Sequence, residues 1–205
     1  ERALDFVEEQ AGQDESFFLS VCTSSIHGPS HILGILDDER LTGVGYEDDH
    51  VGCMPPRQSI LWRLEDTAGV GINHRSVGAL WTDDLVGVLT DKLESMGIAD
   101  DTAVIFSTDH NCFDGKASCY VGGVHIPFAM KAPGRIPAGH QCDALVSNVD
   151  FAETLLDLCG AAAPEGMGSD GRSVLPCLTG QKSELDGREE LFVEFGYQRA
   201  VLTKK

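Results

Sequence analysis

Apolar residues at 3, 4, 6 and 7, set among charged neighbours, predict a helix over residues 2–10. Phe17 to Cys22 is a nearly continuous apolar run closed by Thr23-Ser24-Ser25, the pattern of a buried strand. Leu85, Val86, Val88, Leu89, Leu93 and Met96 recur at helical spacing behind Thr82, a capping residue type, and Gly97 marks the end. A second strand-like run covers 103–107, and a third apolar run, Ile126 to Met130, follows the Gly122-Gly123 pair. Asp150 with Glu153 reads as an acidic capping box before Phe151, Leu155, Leu156 and Leu158, predicting a helix over 151–159. Leu191–Glu194 and Ala200–Thr203, with Gly196 between them, predict a terminal hairpin. Residues 30–80 have little period and much Gly and Asp, and read as a long irregular insertion or lid. The order strand, long connection with a helix, strand predicts parallel pairing of 17–22 with 103–107 and an α/β class.

That pattern locates the chemistry. The run 103–107 stops at Asp109-His110, which puts a carboxylate and an imidazole just past the end of a strand, where α/β sheets bind ligands. Gly115-Lys116 adds a cation a few residues on. An acid, an imidazole and a fixed positive charge are the parts needed to hold a metal ion and an oxyanion. Asp114 reads as a solvated loop acid, and His125 as structural or rim.

At 205 residues and 42% hydrophobic composition the chain can bury a sizeable core and is not expected to be disordered. Its net charge of −18 argues against nucleic acid and anionic membrane as partners, and makes any anion site depend on a local positive focus. The seven cysteines (22, 53, 112, 119, 142, 159, 177) include no C-x-x-C pair, so a structural zinc site is not expected. Cys22 and Cys159 lie in apolar runs and are expected to pack as small hydrophobes, while Cys112 and Cys119 flank the site and could pair. No signal peptide or membrane span is evident, and the chain looks cut at both ends.

Ser107-Thr108-Asp109-His110-Asn111, Gly115-Lys116, Tyr120-Val121-Gly122-Gly123 and Pro127-Phe128, in that order, resemble the sulfatase signature Ser-Asp-His-Gly, Gly-Lys, Tyr-Glu-Gly-Gly, Pro-Phe. Ile26-His27-Gly28-Pro29 is similar to that family's Pro-His-x-Pro passage, and Asp143–Asp150, Thr154–Asp157 and Asp170–Ser173 to segments further on. The likeness covers residues 1–29, 82–180 and, more loosely, 191–203. It implies the alkaline-phosphatase-like sandwich, a mainly parallel sheet with helices on both faces, here an incomplete catalytic domain over residues 1–205. It also implies hydrolysis of a small-molecule or glycan sulfate ester, with Asp109 and His110 binding a divalent metal, calcium or magnesium in its place. Lys116 and His27 would bind the sulfate and act in catalysis, and a periplasmic, secreted or lysosomal location would be expected, with a cytoplasmic one left open.

The family's nucleophile is a formylglycine made from Cys in Cys-x-Pro-x-Arg. Cys53-Met54-Pro55-Pro56-Arg57 fits that string but follows His27 instead of preceding it, and Trp62-Arg63 replaces the usual Thr-Gly. We therefore read it as a look-alike, with the nucleophile expected outside this chain and the fragment alone inactive. Two alternatives remain: a phosphodiesterase or phosphonate-type hydrolase of the same superfamily, and a non-catalytic scaffold.

Overall fold

The computed structural model describes residues 1–23, 34, 37–42, 45–46, 48, 52–111, 115–183, 185 and 188–204. It forms two compact units, Glu1–Ala99 and Asp100–Lys205. No described helix is long and apolar enough to cross a membrane.

The first unit is helical. Helix α1 is Arg2–Ala11, with Val7 buried. A small antiparallel ladder joins β1 (Leu41–Thr42) to β2 (Gly45–Tyr46). Helix α2, Ser59–Glu65, and helix α3, His74–Ser95, pack through Ile60, Leu64 and Val77. Among the described residues of 30–80, α2 and the start of α3 stand where the composition implies irregular chain, because Ile60, Leu61 and Leu64 supply one short apolar stripe and Asn73 starts α3 early. The side chain of Asn73 accepts from Arg75 and Ser76 N–H, and Ser76 returns a bond to the Asn73 backbone. Thr82 is no cap. It lies inside α3, buried, and its Oγ1 donates to the Gly78 carbonyl at 2.9 Å. Asn73→Ala should cost about 1 kcal/mol of stability, read as a lower urea midpoint, whereas Thr82→Ser should preserve the helix start; an unchanged midpoint for Asn73→Ala would discount the cap.

Residues 17–22 carry no ladder, with Phe18 75% exposed and Cys22 exposed. Every ladder among the described residues is antiparallel, and residues 17–22 and 103–107 lie in different units.

In the second unit, β3 (Val104–Ser107) pairs with β4 (Phe128–Lys131), Ser107 opposite Phe128. The intervening chain makes a short helix, α4 (Val121–Val124), and returns, so the two strands run antiparallel. Helix α5, Asp150–Cys159, and the turn α6, Leu175–Leu178, follow. The last pair is β5 (Glu190–Phe195) with β6 (Gln198–Thr203), the hairpin expected from its alternation. Val174, Cys177 and Leu185 form the buried cluster here. Asp150 is not the N-cap of α5 but its first residue, fully buried and ion-paired with Arg188. Cys159, the last residue of α5, is exposed where the helix stops at Gly160, and so does not pack inside.

Candidate functional site

The end of β3 is fixed before any charged group appears. Ser107 Oγ donates to the Pro127 carbonyl at 3.2 Å, which holds the strand end against the start of β4. Beyond it, Asn111 N–H donates to the Gly123 carbonyl at 3.3 Å, and Asn111 Nδ2 to the His125 carbonyl at 2.6 Å. Asp109-His110 is therefore held between two anchors, and His125 contributes through its backbone. Asn111, where the sulfatase signature has glycine, is a positioning residue that the pattern did not single out.

His110 Nδ1 lies 2.9 Å from the Asn111 carbonyl. A carbonyl can only accept, so Nδ1 carries the proton and a neutral ring keeps its lone pair on Nε2. That Nε2 lies 3.3 Å from Asp109 Oδ2, whose side chain is 85% exposed. Two acceptors at this separation repel unless a proton or a cation joins them. The donor chemistry therefore fits a divalent ion, with a second-sphere carbonyl orienting the imidazole. Thr108 Oγ1, between the two strand-end groups and Ser107, is buried without a hydrogen-bond partner, a further oxygen with spare capacity. Asp109 and His110 alone are far short of the roughly six to eight oxygens calcium takes, and the described residues contain no cluster of three metal-ligating side chains.

Lys116 is exposed, in a turn built by glycine. A Cβ on Gly123 would meet the Gly115 carbonyl oxygen at 2.3 Å, so the turn packs directly on α4. Gly115 itself has φ +122°, and Ala117 has φ +62°, an unusual conformation for an L residue. Ser118 Oγ closes the turn on the Gly115 carbonyl. Cys119 reaches the terminal hairpin: its N–H donates to Gln198 Oε1 at 3.2 Å and its thiol approaches the Val193 carbonyl at 3.8 Å. The Cys119 thiol thus has a partner in β5. Cys112, Asp114 and His27 lie outside the described residues, so the Cys112–Cys119 pairing and the placing of His27 do too.

Cys53 and Arg57 belong to the other unit and sit in a different setting. Cys53 lines an apolar cavity of about 180 Å³ with Leu4, Met54, Trp81 and Leu85. Arg57 stacks 4.9 Å over the Trp81 ring and donates to the carbonyls of Gly34, Asp38 and Glu39. The arginine holds the chain together locally, and the thiol has mainly apolar neighbours.

Residues 108–203 match the family model described as N-sulphoglucosamine sulphohydrolase, C-terminal. A sulfatase of Formosa agariphila is 35% identical over 208 residues, covering 95% of this chain and 35% of that protein. An enzyme solved in complex with its substrate D-glucosamine-2-N,6-O-disulfate matches 63% of this chain and 29% of its own, at 25% identity and a TM-score of 0.56. A structure from glycosaminoglycan metabolism in Bacteroides thetaiotaomicron covers 99% of this chain and 40% of its own, at 21% identity and a TM-score of 0.69, which shows a shared fold. The chain thus spans 29% to 40% of the length of these relatives.

Proposed function

Because this chain belongs to the sulfatase family, we propose that it serves the metal-assisted hydrolysis of a sulfate ester carried by a small molecule or a glycan. A sulfated glucosamine is the substrate of one solved relative, which favours the glycan. The observation that carries the reading is that one short helix, Val121–Val124, ties down both the Asp109-His110 strand end and the Gly115-Lys116 turn.

Asp109 and His110 would hold a divalent cation, calcium or magnesium, which supplies positive charge against the sulfate oxygens. Lys116 binds a sulfate oxygen as a compact charge on a flexible stem. His27 takes a role in sulfate binding and proton transfer on its place in Ile26-His27-Gly28-Pro29 alone. Cys53 is left out of the attacking role, which in the family belongs to formylglycine. In a chain of net charge −18 the carboxylates by themselves repel a sulfate dianion, so oxyanion binding should require the cation.

Calorimetry on the full chain with inorganic sulfate, with and without calcium, tests this. Asp109→Ala should abolish calcium-dependent sulfate binding, Lys116→Ala should weaken it about tenfold or more, and Asp114→Ala should change it little. Equal losses at Asp109 and Asp114 would mean that general acidity is responsible. No loss from any of the three would put the non-catalytic scaffold in front. Turnover of a phosphonate monoester in preference to an aryl sulfate would move the reaction to the phosphodiesterase branch.

A further inference from the structure

The Lys116 turn has a defined shape but little of its own to fix its place. Its internal bonds, Ser118 Oγ to the Gly115 carbonyl and Tyr120 N–H to Ser118 Oγ at 3.3 Å, close it on itself. Ala117 at φ +62° adds strain, and a strained turn relaxes when its outer contacts are lost. Glycine packing seats the turn on α4 at one side. At the other side the described contacts come from the terminal hairpin, through Cys119.

The hairpin suits that task. Six residue pairs, from Glu190↔Thr203 to Phe195↔Gln198, fix its register, and Gln198 sits at the pair next to the turn. Gly196 at φ +57° closes that turn, and the Glu194–Arg199 ion pair at 2.8 Å braces the neighbouring rung. The Gln198 backbone is thereby held, while its amide oxygen reaches a residue 79 positions earlier in the chain. A neutral side chain here accepts the amide proton without bringing a negative charge to the turn, as an aspartate or glutamate would.

We infer that Gln198 is a positioning residue for Lys116, holding the 115–120 turn through the Cys119 N–H, so that the C-terminal hairpin forms part of the anion site. This rests on the reading of Lys116 as a sulfate ligand. Gln198 is exposed, so its replacement leaves the buried clusters of the unit intact.

The test uses the full chain and two readouts. Amide hydrogen exchange should show the Cys119 N–H exchanging faster in Gln198→Leu and near its original rate in Gln198→Glu, which keeps an acceptor. Inorganic sulfate, titrated in calcium, should bind three- to tenfold more weakly to Gln198→Leu, in keeping with the loss of one ordinary hydrogen bond and some order in the turn (about that size in general). Unchanged Cys119 exchange in Gln198→Leu would overturn the inference outright. Faster exchange with unchanged sulfate affinity, while Lys116→Ala still weakens binding, would overturn the positioning role and leave Lys116 in place. Unchanged affinity in both Gln198→Leu and Lys116→Ala would remove the reading of Lys116, and this inference with it.

Discussion

Asp150→Ala should destabilise the second unit by about 3–5 kcal/mol, the cost of leaving one member of a buried ion pair alone. Asp150 is fully buried and Arg188 nearly so. Asp150 Oδ1 accepts from Arg188 Nη2 at 2.7 Å and from the Arg172 amide at 2.9 Å, and Oδ2 from the Ser147 amide at 2.8 Å and from Arg188 Nη1. Removal strands a guanidinium and two amides together. Burial pushes this carboxyl up, but Arg188 and the Ser147 and Arg172 amides outweigh it and hold its pKa below the usual 3.8. The sign follows. With the folded value depressed, the stabilisation is complete above the unfolded value and is lost as pH falls through the folded one. Urea midpoints should therefore separate wild type from Asp150→Ala widely at neutral pH, and the gap should narrow in acid below 3.8. The pair Asp150→Ala with Arg188→Met should recover part of the loss. A gap that stays constant into strong acid would mean that packing, and not charge, is responsible.

Gly123→Ala should have the largest effect on the candidate site. The new Cβ would stand 2.3 Å from the Gly115 oxygen and 2.5 Å from the Ser118 oxygen, backbone atoms that cannot rotate aside. Either the Lys116 turn or α4 must move. Calcium-dependent sulfate binding should fall at least tenfold, with overpacking costing about 1–3 kcal/mol of stability. Gly168→Ala, where a Cβ meets nothing within 4 Å, serves as the control and should change neither. Wild-type sulfate affinity in Gly123→Ala would show that the Gly115–Gly123 contact does not place the lysine.

The elements with a single strong period were legible. Leu155, Leu156 and Leu158 marked α5, and alternation marked the hairpin of Leu191 and Leu202 facing inward with Phe192 and Val201 outward. The start of α3 was not, because Thr82, itself a capping residue type, stands directly before the clear apolar period, and Gly78 hid the first two turns. Threonine in a helix can satisfy its own hydroxyl against the carbonyl four residues back, as Thr82 does, so its presence does not mark a boundary. Asp150 misled in the opposite way. Its spacing to Glu153 fits a cap, but Arg188 lies 38 residues off, and only the folded chain brings a guanidinium to that carboxylate. The sense of pairing between 103–107 and 126–130 was not legible either, since the two runs look alike in either sense and pairing is a property of the return path. At the candidate site, Asp109, His110 and Lys116 stand in local strings of the sequence, while Asn111 and Gln198 act through bonds to distant backbone that no string marks.

Strands β3 and β4 form a ladder of only two, so each has one flank of N–H and C=O groups without a strand beside it among the described residues. Ile105 stands partly open on the same ribbon, at 36% exposure. Where such a flank is left open, a neighbour's backbone can add to it. At −18, like-charged copies of this chain repel one another before such edges meet. That protection is ionic and shrinks with the Debye length, from about 10 Å at 0.1 M salt to about 3 Å at 1 M. The acidity of this chain thus opposes edge pairing between copies, most in dilute buffer and least in brine.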